Sequence, residues 1–292
     1  MNQNRSLEWI PPWTQAVAAM LLVQLAAALS VPLIDVIGPA ATAWLRLAFG
    51  ALIVLCIARP KLRSIRRRDI PALLGLGIVT GGNNMFFLFA IERLPLGTAV
   101  AVEFLGPLVV AGIASKSLRA FVWPVMALGG VVLLTEPWHG QADVIGIAFA
   151  LASGACWGLY IVFTQFVGDR YSGISGLAVT FPIAVVCTAP VGVPPLFAHQ
   201  VPLWGVAAAA GIALLSPVMA FGLEMLALRR MTQNAFGTLL SIEPAFAMLI
   251  GMVALQQWPT AMKLAGIALV VLAGAAAQRS GKRVGAAETE VR

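Results

Sequence analysis

Long apolar runs, interrupted at intervals by short clusters of arginine, lysine, proline or glycine, dominate the chain. A helix needs roughly 20 mainly apolar residues to cross about 30 Å of hydrocarbon. Windows of that kind fall at 13–36, 40–58, 70–91, 96–115, 119–135, 143–166, 173–193, 203–227, 233–254 and 260–278. The pattern predicts an all-α membrane protein of ten transmembrane helices, with connections too short to hold a separate domain. The first window is longer than the apolar stretch of a secretory leader, lacks a convincing small-residue cleavage site and resembles a span of the second half. It is therefore expected to stay in the mature protein.

Composition agrees: 60% of the 292 residues are hydrophobic and 11% charged, and the mean hydropathy is +0.91. Those values exclude an ordinary soluble domain of this length. A net charge of +7 suggests nucleic acid only until its distribution is considered. Of the 19 basic residues, 16 fall on the side of the N-terminus, among them the cluster Arg59, Lys61, Arg63, Arg66, Arg67 and Arg68; the opposite side holds only Arg93 and Lys263, and Arg46 lies inside a span. Positive charge collects on the cytoplasmic side of membrane proteins, so both termini are expected in the cytoplasm and no nucleic-acid partner is expected. The basic cluster is read as a topological anchor, with an anionic-lipid site as the competing reading. Cys56, Cys156 and Cys187 all fall within spans, where they are expected to act as small buried hydrophobes and not as disulfides.

A repeat lies beneath the spans. Displaced by 140 positions, Gly97-Thr98 through Glu103 falls on Gly237-Thr238 through Glu243, both reading G-T-x-x-x-x-E. This places the fourth span on the ninth and divides the chain into five-helix units at 13–135 and 143–278, with a cytoplasmic tail at 279–292. Five being odd, the second unit enters from the opposite side, which gives two inverted five-helix repeats. That organisation is typical of secondary transporters, with the substrate near the midplane between the halves.

An ionisable residue inside a span costs about 2.5–3.5 kcal/mol on insertion scales, so each is a functional candidate with a partner or a water-filled cavity. Four exist: Arg46, Glu103, Glu224 and Glu243. Glu103 and Glu243 are related by the repeat and can meet around a central cavity, which makes them candidates to bind substrate and carry a coupled proton; hydrogen-bonded helix glue is the alternative. Glu224, one turn before Arg229 and Arg230, is a second-rank substrate candidate with helix-end pairing as its competing role. Arg46 either reaches outward toward Asp35 or faces a cavity or substrate carboxylate, for which its planar fork is suited. Ser153, Trp157, Tyr160 and Thr164 share one face of the sixth span, making Trp157 and Tyr160 candidate cavity residues. Asn83, Asn84 and Gln24 each need a partner in lipid. Pro107 and Pro244 sit near the two repeat glutamates, where they can break the helical ladder. Gly77-x-x-x-Gly81 and Gly154-x-x-x-Gly158 are expected to let backbones within the chain approach closely.

Enzyme readings find little support. No dinucleotide fingerprint or phosphate loop is present, which argues against an ATP-driven pump, and His139 and His199 lack spacing that suggests zinc. No cofactor or metal is expected.

At these residues the chain resembles the EamA family of the drug/metabolite transporter superfamily, in particular its inner-membrane threonine and homoserine exporters. The resemblance is carried by Gly81-Gly82-Asn83-Asn84 leading to Pro95-Leu96-Gly97 and Glu103-Phe104-Leu105-Gly106-Pro107, by Gly154-Ala155-Cys156-Trp157 with Tyr160 and Gln165, and by Leu223-Glu224-Met225, Phe236-Gly237-Thr238-Leu239 and Glu243-Pro244-Ala245. It implies a bacterial-type inner-membrane carrier that exports small neutral amino acids by proton antiport, with Asn84, Glu103, Trp157, Tyr160, Glu224 and Glu243 at the family's site positions. Leu88, Ala90 and Leu105 depart from the exporters' hydroxyl residues, which argues against threonine specificity. A broad drug or metabolite exporter of the same fold is the alternative. Oligomeric state is left open.

Overall fold

The computed structural model describes residues 11–58, 66–114, 118–139, 143–167, 174–198, 201–228, 230–231 and 233–280. The basic positions Arg59, Lys61, Arg63, Lys116, Arg170 and Arg229, together with His199 and the tail beyond Ser280, lie outside them. Among the described residues the chain is all helical. The helices are α1 (Pro12–Ala58), α2 (Ile70–Ile91), α3 (Leu96–Glu103), α4 (Leu105–Ala114), α5 (Val122–Thr135), α6 (Val144–Val167), α7 (Ile174–Gly192), α8 (Pro194–Ala198), α9 (Leu203–Ala213), α10 (Ala220–Leu228), α11 (Gln233–Leu240), α12 (Glu243–Leu255) and α13 (Ala261–Ser280). Among the described residues, seven helical stretches are long and apolar enough to cross a membrane, and two shorter apolar helices occupy Arg119–Thr135 and Gly176–Gly192.

Breaks in the helices follow the sequence. The 47-residue α1 turns at Gly38, whose φ of 79° and ψ of 163° lie outside the helical region. A side chain is strained at that positive φ, and Pro39 pushes the residue before it out of the α region. The turn separates the windows expected at 13–36 and 40–58. Between α3 and α4, Pro107 supplies no N–H for the carbonyl of Glu103. Between α11 and α12, Pro244 stands in the first turn of α12 and Leu240 loses its donor in the same way. The two repeat glutamates thus sit at helix breaks: Glu103 ends α3 and Glu243 begins α12. A further break went unread in the sequence. Ser216, before Pro217, is extended at φ −144° and ψ 119°, and a π-helical segment at Leu214–Met219 joins α9 to α10.

Small residues set the packing. A Cβ on Gly106 would overlap the carbonyl oxygen of Gly154, and one on Gly154 would lie 2.5 Å from that of Glu103, so α4 and α6 cross backbone to backbone. Gly77 and Gly81 admit Ile183 and Ala184 of α7 in the same way, and Gly130 of α5 meets Gly266 of α13. Large apolar side chains such as Leu52, Ile57, Val125, Val186, Val253 and Leu272 face outward, as expected where lipid is the solvent. Cys56 and Cys187 are also exposed, while Cys156 is half-buried and all three are free thiols. The expectation that all three are buried therefore holds only in part, because small apolar groups are as stable against lipid as in the core.

The bundle is shut at the end that carries Arg93 and Lys263. There α3 packs on α12, and every residue from Leu96 to Leu105 is buried, whereas Gly106, Pro107, Val109 and Val110 of α4 are partly or fully exposed. Polar bridges tie the closed end. The Leu96 N–H, one of the free donors of a helix start, donates to Gln257 Oε1 at 2.9 Å. Thr260 Oγ1 donates to Glu136 Oε1 at 2.9 Å, and Lys263 Nζ lies 3.7 Å from Glu136 Oε2. Arg93 Nε donates to Asp143 at 3.0 Å.

Candidate functional site

Glu103 is 8% exposed and Glu243 7% exposed, and their surroundings differ. Ser153 Oγ on α6 donates to Glu103 Oε1 at 2.6 Å, and Asn83 Nδ2 on α2 donates to the same oxygen at 2.7 Å. Asn83 Nδ2 also lies 3.0 Å from Ser153 Oγ, and Ser153 Oγ lies 3.0 Å from the Asn83 carbonyl oxygen. Helices α2, α3 and α6 are thus knotted through one carboxyl oxygen. A hydroxyl has one proton to give and two lone pairs to accept with. Ser153 can donate to an ionised Glu103, or accept from a protonated one while donating to the Asn83 carbonyl.

Glu243 has one partner: Gln24 Nε2 of α1 donates to its Oε1 at 3.0 Å. Glu243 Oε2 and Gln24 Oε1 are buried without a hydrogen-bond partner. Glu243 also experiences the charges of Glu103 and Glu224, so the three carboxylates belong to one electrostatic neighbourhood. Glu224 is partly buried on α10 and interacts electrostatically with Tyr160 of α6. This places Glu224 with the central carboxylates in addition to its nearness to the helix end.

Arg46 is buried at 7% exposure, while Asp35 is exposed, so the outward-reaching alternative is overturned: the guanidinium stays inside the bundle. One of its terminal nitrogens donates to Ser30 Oγ at 3.2 Å, and its Nε has no partner. One turn away, Asn84 Nδ2 donates to the Ala43 carbonyl at 3.0 Å, joining α2 to the second limb of α1. Trp157 is half-buried and packs edge to face on Phe104, with ring centroids 6.0 Å apart. Leu88, Ala90 and Leu105 all lie in the apolar core.

A surface cavity of about 100 Å³ lies at the closed end, lined by Arg93, Thr98, Asp143 and Lys263 among others and by none of the central carboxylates. Beside it, Asp143 accepts from the Gly146 N–H at 2.8 Å as the cap of α6. That bond, with Arg93 second, holds its carboxyl below the ordinary aspartate range. Among the described residues no cluster of His, Cys, Asp and Glu suited to a metal ion is present.

Arg46, with a free N–H, and Glu243, with a free oxygen, are both buried in the apolar bundle, and charged groups of that kind mark a site for a small polar solute. Comparison with known proteins agrees. The sequence profile of the EamA-like transporter family matches residues 144–276. The threonine/homoserine exporter RhtA of Escherichia coli (strain K12) is 36% identical over 277 residues, 92% of this chain and 92% of its own length. This chain belongs to the EamA-like transporter family. The exporter of the same name from Salmonella typhimurium (strain LT2) is 35% identical over 272 residues, 91% of this chain and 90% of its own. A crystal structure 18% identical superposes with a TM-score of 0.58 over 93% of this chain and 99% of that one, a likeness of fold. The transporter is accordingly a multi-pass membrane protein that handles a small-molecule substrate, and its relatives are exporters, not enzymes.

Sequence reasoning put Ser153 on the candidate cavity face of the sixth span but left Asn83 and Gln24 as polar groups needing a partner in lipid. Asn83 and Asn84 are adjacent, and the roughly 100° turn between successive helix positions sends only Asn83 to Glu103. Spacing within one helix could not decide between them, because the answer depends on where α3 lies.

Proposed function

We infer that this transporter exports small neutral amino acids of the threonine or homoserine type by proton antiport with alternating access. The observation that carries the reading is a pair of buried, oppositely charged groups, each with a free hydrogen-bonding atom: Glu243 Oε2 and Arg46 Nε. A zwitterion supplies an ammonium for the first and a carboxylate for the second. Full-length similarity to exporters named for threonine and homoserine supports the substrate class. Glu243 and Glu103 are the coupling carboxylates, Glu224 adds to the same field, and Trp157, Tyr160 and Asn84 are further substrate contacts. One carboxylate cannot hold a proton and an ammonium equally well at once, which makes the two exchange.

Ten crossings in two inverted repeats are the architecture of this reading. Support comes from the paired helix breaks at Glu103 and Glu243 and from the packing of α2 on α6, matched by α9 and α10 on α1. The excess of basic residues on the N-terminal side supports cytoplasmic termini in a bacterial-type inner membrane. In that orientation the closed end, with Arg93 and Lys263, is outermost.

The test is efflux of labelled threonine, homoserine and a neutral amino-acid panel from proteoliposomes, with and without an imposed pH gradient. Gradient-dependent flux of one or more is expected. Flux of none would remove the amino-acid reading and leave a broad exporter, which the apolar Phe104 and Trp157 edge and the core positions of Leu88, Ala90 and Leu105 favour. Competition by apolar cations separates the two.

A further inference from the structure

We propose that Gln24 is a substrate ligand, its amide oxygen joining the free oxygen of Glu243 to bind a primary ammonium group. The proposal rests on the export reading and adds a second acceptor to it.

Gln24 is 1% exposed, in the middle of the first limb of α1. Its Nε2 donates to Glu243 Oε1 at 3.0 Å. A carboxylate only accepts, so this bond fixes the amide with its nitrogen toward Glu243 whenever Glu243 is ionised. The rest of the pair is then two acceptors, Gln24 Oε1 and Glu243 Oε2, both buried and both without a partner. Two unpaired buried acceptors held together are unfavourable unless a donor reaches them.

The donors that fit are few. The charges that act on Glu243 are those of Glu103 of α3 and Glu224 of α10, which are acceptors when ionised. An ammonium brings three N–H donors and a positive charge into this carboxylate field, and can serve both free oxygens. A proton on Glu243 Oε2 also gives that oxygen a donor for Gln24. Proton and ammonium therefore compete for the same two oxygens. Arg46, whose Nε is free, is held by a bond from a terminal nitrogen to Ser30 Oγ on the limb of α1 that carries Gln24 and supplies a positive charge for a carboxylate.

The test is binding of labelled homoserine to the purified full-length protein, competed by threonine, by N-acetylhomoserine, which has no ammonium, and by propylammonium, which has no carboxylate. Gln24→Met removes the amide at nearly constant volume; Gln24→Asn withdraws it by one methylene; gel filtration and thermal unfolding establish that each variant is folded. Gln24→Met is expected to weaken homoserine and propylammonium by about tenfold or more, the loss of one hydrogen bond to a charged group, and to leave N-acetylhomoserine unchanged. A purely structural role would weaken all probes together, and that result overturns the proposal, as does wild-type affinity in Gln24→Met. If amino acids fail to bind the wild type but propylammonium binds in a Gln24-dependent manner, the ammonium site stands and the amino-acid reading falls. If the wild type exports amino acids and Gln24→Met does so equally well, the proposal falls alone. If no ammonium probe binds the wild type, the proposal is overturned.

Discussion

At the scale of single residues, the two repeat-related glutamates are not equivalent. Glu103 has one oxygen satisfied twice over by Ser153 and Asn83, whereas Glu243 presents a free oxygen beside a free amide oxygen. Replacing Glu243 by Gln keeps the volume and removes the titrating group. Gradient-driven flux is expected to fall to background while membrane insertion and gel-filtration behaviour are retained; normal coupled flux in that variant would sink the coupling assignment. Ser153→Ala removes one donor to Glu103 and leaves Asn83 in place. Its expected effect is a loss of about 1 kcal/mol, in the range of interhelical hydrogen bonds in membranes, read as a lower thermal midpoint with gradient coupling preserved. The four intramembrane charges were legible in the sequence, because lipid makes each of them conspicuous. Which amide meets which carboxylate was not legible, because Asn83 and Gln24 find their partners 20 and 219 positions away.

Among the elements, the helices themselves were the most legible part of the chain, since length and apolar character suffice to place them. Pro107 and Pro244 announced the breaks at the glutamates, and Pro217 carried the same message for the π-segment without being read. Contacts between helices followed from glycine pairs only after the partners were known. Gly154→Ala places a methyl group against the Glu103 carbonyl, and Gly106→Ala places one into the Gly154 carbonyl. Both are expected to lose monodisperse protein in detergent. Gly211→Ala and Gly222→Ala meet nothing within 4 Å and are expected to behave as wild type. Equal yields across all four would contradict the backbone crossing.

For the whole molecule, the closed end is held by separate bridges at Gln257, Glu136 and Asp143, so opening it means breaking several modest contacts and no single strong one. Thr98, 4% exposed in the lining of the cavity at that end, is a reporter. In a background with its three cysteines replaced, Thr98→Cys is expected to react slowly with an impermeant thiol reagent, and faster once Gln257→Leu and Lys263→Met are added. Unchanged rates would show that these bridges do not hold the end shut. The pH dependence has a definite sign. Because the Gly146 N–H and Arg93 hold the Asp143 carboxyl below its ordinary range, its contribution to closure is complete above the usual aspartate pKa. That contribution is lost only as pH falls through the lowered value, so the slow reaction should persist into mild acid. The glycine crossing of α4 and α6 bears on the same motion. Where backbone lies on backbone there are no interlocked side chains to disengage, so one helix can roll over the other like a shaft in a plain bearing, without a rotamer change. A single methyl group at that crossing would then do more to seize the carrier than many larger changes on its lipid-facing surface.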